Sequence, residues 1–256
     1  MNKWQKINLL CFSILALITA GLIYALGTMS FTAPLGKPWH LLPSVHEDSL
    51  SQEYLERYRI LDKKALRLQL YDSSRVNVFI LVDAWGVPNQ ESVLKEEFAY
   101  FEKIPHTYAL HQRLGARNKH AERVEFRDGP ENKMYLFGGD SLEFNRPKLV
   151  GEIGFNKTLF CQNCGDEKMV AQIDSLLEND SLQWITWTTQ SSRGGDKDSL
   201  RKSLKLIADL ALRHPDVQFV VQGSHRPVLC SPEIRNSYKY HWVPVVVLNE
   251  KNEKFI

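Results

Sequence analysis

The sequence predicts an α/β fold: a mostly parallel central sheet with helices on both faces, preceded by one N-terminal transmembrane helix. Three observations carry this. Short, continuous apolar runs of strand length recur along the chain, as in strands buried on both faces. Amphipathic helical patterns separate them. One uncharged segment near the N-terminus is long enough to cross a bilayer.

In chain order, the uncharged segment comes first. Residues Ile7 to Leu26 carry no charge, and none occurs before Lys37. Twenty such residues match the ~20 needed to span a hydrocarbon core. Lys3 and Lys6 precede the segment, which keeps residues 1–6 in the cytoplasm and places the rest outside, periplasmic if the cell has two membranes. The rival reading is a cleaved signal peptide, but the run is long for one and no small-x-small site follows closely. Residues 27–75 form a linker, with Pro34, Gly36, Pro38 and Pro43, and then an amphipathic helix. A Ser49/Gln52 capping pair opens that helix, and Tyr54, Tyr58, Leu61, Ala65 and Leu68 give it one apolar face as far as about Tyr71.

Residues 76–256 make the α/β domain. Val76–Val82 is the first buried strand, followed by Asp83-Ala-Trp-Gly86 and a helix with Val93, Leu94, Phe98 and Phe101 on one face. Further strands are expected at Met134–Phe137, Leu182–Thr188, Val217–Gln222 and Val243–Leu248. Helices are expected near Asp166–Leu177 and Asp198–Arg213; the second turns Leu200, Leu204, Ile207 and Ala211 inward.

Lys+Arg 32 against Asp+Glu 30 leaves a net charge of +2, too small a balance to indicate a nucleic-acid partner. Four Cys are too few for a disulfide scaffold. Cys161-Gln-Asn-Cys164 lacks the second pair of a structural zinc site. Outside the cytosol a disulfide is expected, either local or between one of these two and Cys230, with one thiol left over. Asp196-Lys-Asp198 matches the acidic pair of nucleotide-sugar transferases, and equally an N-cap before Leu200.

Ligands of open α/β sheets sit beyond the carboxyl ends of the strands. Asp83 ends one strand, and Gly223-Ser224-His225-Arg226-Pro227 ends another. If those strands are parallel, Asp83 and His225 share one edge, where a carboxylate and an imidazole are suited to a divalent metal such as zinc or manganese. The plainer alternative is a helix cap and a loop-bonded histidine.

The order of these segments resembles the sulfatase-like branch of the alkaline phosphatase superfamily, which includes membrane-anchored phosphoethanolamine and phosphoglycerol transferases. The matching runs are Asn77 to Gly86, Phe144-Asn-Arg146, Gly154-Phe155, Trp184 to Ser192, Gly223 to Pro227 and Val243-Pro244. The resemblance implies metal ligands at Asp83 and His225; from their positions beside these motifs, Trp85, Trp187 and Arg226 are expected to line a substrate cleft. It also implies a hydroxyl nucleophile within Gly115 to Glu125, where this chain has none and Asn118 or a neighbour stands instead. Two further ligand positions hold Ser192 and Ser224; His120, Asp140 and His241 are the remaining candidates to complete a set. Phosphoryl transfer needs concentrated positive charge, so the expectation is a catalytically degenerate domain that binds a surface glycan, a lipid headgroup or a partner enzyme. The alternatives are an active metal-dependent phospho- or sulfo-group hydrolase or transferase with an altered site, and a glycosyltransferase using Asp196 and Asp198.

Overall fold

The computed structural model describes residues 3–27, 48–113, 118–127, 133–139, 146–179, 184–190, 192 and 196–250. The predicted linker and Asp140 therefore lie outside the described residues, as do Leu182 and Gln183 of the predicted strand.

Helix α1 (Lys3–Gly27) contains the predicted span; it is long and apolar enough to cross a membrane by length and composition. The body is built from α2 (Gln52–Arg57), β1 (Arg59–Leu61), α3 (Arg67–Leu70), β2 (Asn77–Val82), α4 (Glu91–Phe98) and β3 (His106–Gln112). It continues with α5 (Asn118–Phe126), β4 (Lys133–Phe137), α6 (Arg146–Ile153), β5 (Lys157–Phe160) and α7 (Asp166–Asn179). It ends with β6 (Trp184–Thr188), α8 (Lys197–Arg213), β7 (Gln218–Gly223), α9 (Pro232–Asn236) and β8 (Trp242–Leu248). The strands form one sheet in the order β1-β3-β8-β7-β2-β6-β4-β5. Among the described strands only β8 runs against its neighbours; β2 is parallel to both β6 and β7.

The period of two along each strand sorts its side chains into two cores. Val78, Ile80, Phe219, Val221, Ile185 and Trp187 face α4, α7 and α8, which contribute Leu94, Met169, Ile173, Leu204 and Ile207. Phe79, Leu81, Val220, Val247, Tyr135 and Trp184 face α3, α5 and α6, which contribute Leu70, Ala121, Leu149 and Ile153. Helices thus cover both faces, as the apolar runs require.

One predicted element is corrected. The amphipathic helix from Gln52 to Tyr71 is two short helices separated by a strand. Ser49 does not open it: the N-cap is Ser51, with no side-chain bond, and the backbone is already extended at Tyr58. Tyr54 and Tyr58 are buried as the pattern demands, yet Leu68 is 66% exposed. The physical reason is the open edge of β3. Arg59 to Leu61 pair with Ala109 to His111 and cover backbone groups that would otherwise stand open on that edge. Residues 48–75 therefore belong to the body rather than to a linker in front of it.

Candidate functional site

The central parallel strands end at one edge, and their ends are tied together. Gly223 pairs with Val82, so Ser224 follows beside Asp83, and the Ser224 amide donates to the Val82 carbonyl at 2.9 Å. From the other side, Thr189 donates its amide to Leu81 at 2.9 Å and accepts the Asp83 amide on its hydroxyl at 2.9 Å. The Ser192 hydroxyl donates to the Asp83 carbonyl. Ala84 then takes a left-handed φ of 55°, which turns the chain back over β7.

That turn needs its glycines. A Cβ on Gly223 would lie 1.8 Å from the Trp85 carbonyl oxygen, and one on Gly86 would lie 2.7 Å from the Arg226 Cα. Both obstacles are backbone, so neither rotates away. Gly223→Ala is expected to cost at least ~3 kcal/mol, beyond ordinary core overpacking. The check is a thermal melt against wild type; an unchanged melting temperature would remove this account of the Asp83 turn.

Asp83 and His225, the two predicted ligands, are 1% and 8% exposed, with His225 Nε2 3.4 Å from Asp83 Oδ1. His225 Nδ1 is 2.7 Å from the Arg226 carbonyl, which can only accept, so Nδ1 carries a proton and Nε2 is aimed at the carboxylate. Among the described residues no group of three or more His, Cys, Asp or Glu is placed to hold a metal ion. His120 is exposed on α5, and His241 is paired with Asp48, its Nδ1 2.5 Å from Oδ2. Ser224 is fully buried, and its hydroxyl has no hydrogen-bond partner among the described residues. A carboxylate and an imidazole alone do not fit a tightly held divalent cation, which ordinarily takes three or four protein ligands in the case of zinc.

The predicted aromatic cleft is corrected. Trp85 is wholly buried, donates its indole N–H to Glu97 at 2.8 Å and meets Phe98 edge-on at 6.0 Å. Trp187 is also wholly buried, inside the core under α7 and α8. Both lie on a strand or turn packed on two sides, so their rings fill core rather than line a surface. Arg226 is 7% exposed; its guanidinium lies over the Tyr240 ring at 4.4 Å and donates to the Arg235 carbonyl at 3.2 Å. The depression bounded by Ala84, Ser192, Lys197, Pro227 and Tyr238 is too narrow to enclose a water molecule.

Two buried polar clusters at this edge escaped sequence reasoning. In the first, Glu122 accepts from Arg146, from the Thr188 hydroxyl at 2.7 Å and from the Tyr135 hydroxyl at 3.1 Å. Arg146 stands in a run that carries the resemblance and Glu122 in the run where this chain departs from it, but nothing in their spacing pairs them. In the second, Glu125 meets Arg113 at 3.3 Å and Gln222 at 3.3 Å, with the Gln222 amide 3.2 Å from His111. Burial first, then Arg113, depresses the His111 pKa to about 4. This cluster was hidden because β3 was not recognised as a strand; its visible trace is the polar His111-Gln-Arg113 after an alternating run.

Asp196 accepts the Asp198 and Ser199 amides and caps α8, which is the plainer of its two readings. The cysteine pairing is local: Cys161 bonds Cys164, and Cys230 is a half-buried free thiol.

No protein-family profile matches this chain, and no curated protein does. Solved structures do. Over 71% of this chain and 67% of theirs, it superposes on the lipoteichoic acid synthase LtaP from Listeria monocytogenes with a TM-score of 0.52 at 11% identity. A protein of the alkaline phosphatase superfamily from Vibrio parahaemolyticus matches 71% of this chain at 12% identity and TM-score 0.49; this chain spans 62% of that one. The phosphoglycerol transferase GacH of Streptococcus pyogenes, solved with sn-glycerol-1-phosphate, matches 72% of this chain and 71% of its own at 15% identity and TM-score 0.47. The chain has the alkaline phosphatase-like fold, as its strand-end motifs imply.

Proposed function

We propose that this chain is a single-pass, membrane-anchored domain outside the cytoplasm that binds a surface glycan, a lipid headgroup or a partner enzyme without turning it over. The observation that carries this is the occupancy of the Asp83 edge. Where the resemblance calls for further metal ligands the chain has Ser192 and Ser224, and the Ser192 hydroxyl is already committed to the Asp83 carbonyl. The fold it shares with a lipoteichoic acid synthase supports a setting outside the cytoplasm. Fold by itself does not carry chemistry over.

A second reading keeps a specific observation in its favour. The Arg226 carbonyl fixes the His225 tautomer so that Nε2 faces Asp83 at 3.4 Å, which is how a metal-bound histidine is usually oriented. On that reading the chain is an active metal-dependent phospho- or sulfo-group hydrolase or transferase, and Asp83 and His225 would hold zinc or manganese.

One assay separates the two. Full-length protein in detergent is given a chromogenic phosphodiester with added zinc or manganese. No turnover above the protein-free blank is expected. Metal-dependent turnover that disappears in Asp83→Ala and in His225→Ala would establish the second reading. Binding is read separately, as a rise in melting temperature on adding glycerol phosphate or envelope glycan.

A further inference from the structure

The Cys161–Cys164 bridge takes no part in the site just described. It lies in the turn from β5, which ends at Phe160, to α7, which begins at Asp166 and runs for 14 residues. β5 is the outer strand of the sheet, so this turn stands at an open margin of the body. The two sulfurs differ in access. Cys161 is partly exposed, and Gln162 and Asn163 beside it are exposed. Cys164 is 7% exposed and belongs to the core under α7, with Met169 and Ile173. A thiol arriving from solvent reaches Cys161 first.

The bridge does little to hold the turn. It joins residues three apart in sequence, the short extreme at which a crosslink constrains the unfolded chain least. Backbone bonds fix the turn without it: the Cys161 amide donates to the Phe137 carbonyl at 2.9 Å, and the Cys164 amide to the Cys161 carbonyl at 3.2 Å. Asp166 pins the start of α7, accepting the Gln190 amide at 3.0 Å and the Ser203 hydroxyl at 2.6 Å. Once the bridge opens, Cys164 is a small apolar side chain already seated in a core. It also stands next to the first turn of α7, because the Gly165 carbonyl accepts the Lys168 and Met169 amides. A thiolate formed there is stabilised by the positive end of the helix. The two carboxylates of that turn are partnered, Asp166 as described and Glu167 with Lys202 at 2.8 Å.

We propose that Cys161–Cys164 is a redox-active disulfide that exchanges with an external dithiol, Cys161 receiving the attack and Cys164 acting as the buried resolving thiol. One thiolate of the dithiol attacks Cys161 Sγ. The Cys161–Cys164 bond breaks, and its electron pair leaves on Cys164 Sγ. The second thiolate of the dithiol then attacks its own first sulfur, which closes the dithiol into a disulfide and releases Cys161 as a thiolate. The two protons lost by the dithiol end on the two cysteines, so the dithiol is oxidised by two electrons and the bridge reduced by two. A monothiol stalls at the first stage, because Cys164, held three residues away, attacks Cys161 Sγ and expels it.

The test uses the full chain in detergent with Cys11→Ser and Cys230→Ser, which leaves Cys161 and Cys164 as the remaining cysteines. Reduction by dithiothreitol is followed by acid quenching and maleimide mass tagging, in native buffer and in urea. The folded protein is expected to react on the order of tenfold faster than the unfolded one, from the stabilised leaving thiolate. A folded protein that reacts no faster overturns the proposal and makes the bridge a structural one. The reduced folded protein should keep a cooperative thermal melt. Iodoacetamide should alkylate it at Cys161 on the order of tenfold faster than at Cys164, as located by mass spectrometry. Loss of the cooperative melt on reduction, or equal alkylation of the two cysteines, also overturns the proposal. Glutathione at the same thiol concentration should leave the bridge closed; reduction as fast as by dithiothreitol would overturn the resolving role of Cys164. Faster reduction per thiol by a thioredoxin than by dithiothreitol supports a protein dithiol as the partner, and the reverse order a small one.

Discussion

Replacing Arg146 by methionine is expected to destabilise the body by about 3–5 kcal/mol, the usual cost of stranding one member of a buried ion pair. Arg146 is 1% exposed, bonds Glu122, reaches the Tyr135 hydroxyl at 2.5 Å and lies over the Phe137 ring at 3.9 Å. Methionine keeps most of the apolar contact with Phe137. Among the described residues it leaves the wholly buried Glu122 carboxylate with the Thr188 and Tyr135 hydroxyls as donors. The double change Glu122→Gln with Arg146→Met removes the stranded charge and should recover a large part of the loss. Urea unfolding of the three variants beside wild type gives the coupling directly. If the single and double variants lose the same amount, the charge is not the origin and the packing of Arg146 is.

The second large effect is a pH dependence centred on Glu97. Burial raises its pKa to about 7, against the opposing bond from the Trp85 indole and the charges of Lys197 and Arg201. An unfolded glutamate titrates near ~4.3. Between those values the folded state holds a proton that the unfolded state has released, so the Glu97 contribution to stability is complete below about 4.3. It is lost as pH rises through about 7. Glu97→Gln keeps an oxygen for the indole and removes the titration. Relative to wild type it should gain on the order of 3 kcal/mol between pH 4.5 and pH 8. His111 works in the opposite direction: its depressed pKa of about 4 means stability lost as pH falls below the usual histidine range. Wild type alone therefore shows a muted profile in that window, and the difference between wild type and Glu97→Gln is the quantity to measure. A pH-independent difference would show that Glu97 does not change protonation there.

The sheet was legible where burial on both faces writes itself into composition. Val76–Val82, Val217–Gln222 and Val243–Leu248 are runs with no polar face to hide, and each is a strand within one residue of its expected limits. Helix α8 was legible for the complementary reason: its period of 3.6 separates Leu200, Leu204, Ile207 and Ala211 from exposed charged residues such as Arg201, Lys205, Asp209 and Arg213. The half-covered strands were not. Arg59–Leu61 and Lys157–Phe160 are edge strands with exposed side chains, and their short patterns are equally compatible with a helix or a loop.

For the site, the sequence by itself determined that Asp83 and His225 end two buried strands, and parallel pairing of those strands brings the two residues together. It also determined that no hydroxyl residue stands in the run from Gly115 to Glu125 and that Ser192 and Ser224 stand where the resemblance wants ligands. Only the tertiary structure decided what those neighbours touch. Trp85 and Trp187 read as cleft residues from their positions beside the motifs, and packing on both sides made them core. Glu122 found Arg146, and Asp48 found His241, across 24 and 193 residues. The reason is physical: local periodicity records which side of an element is buried, whereas partners across a core are chosen by three-dimensional packing and by the cost of burying a charge or polar group alone.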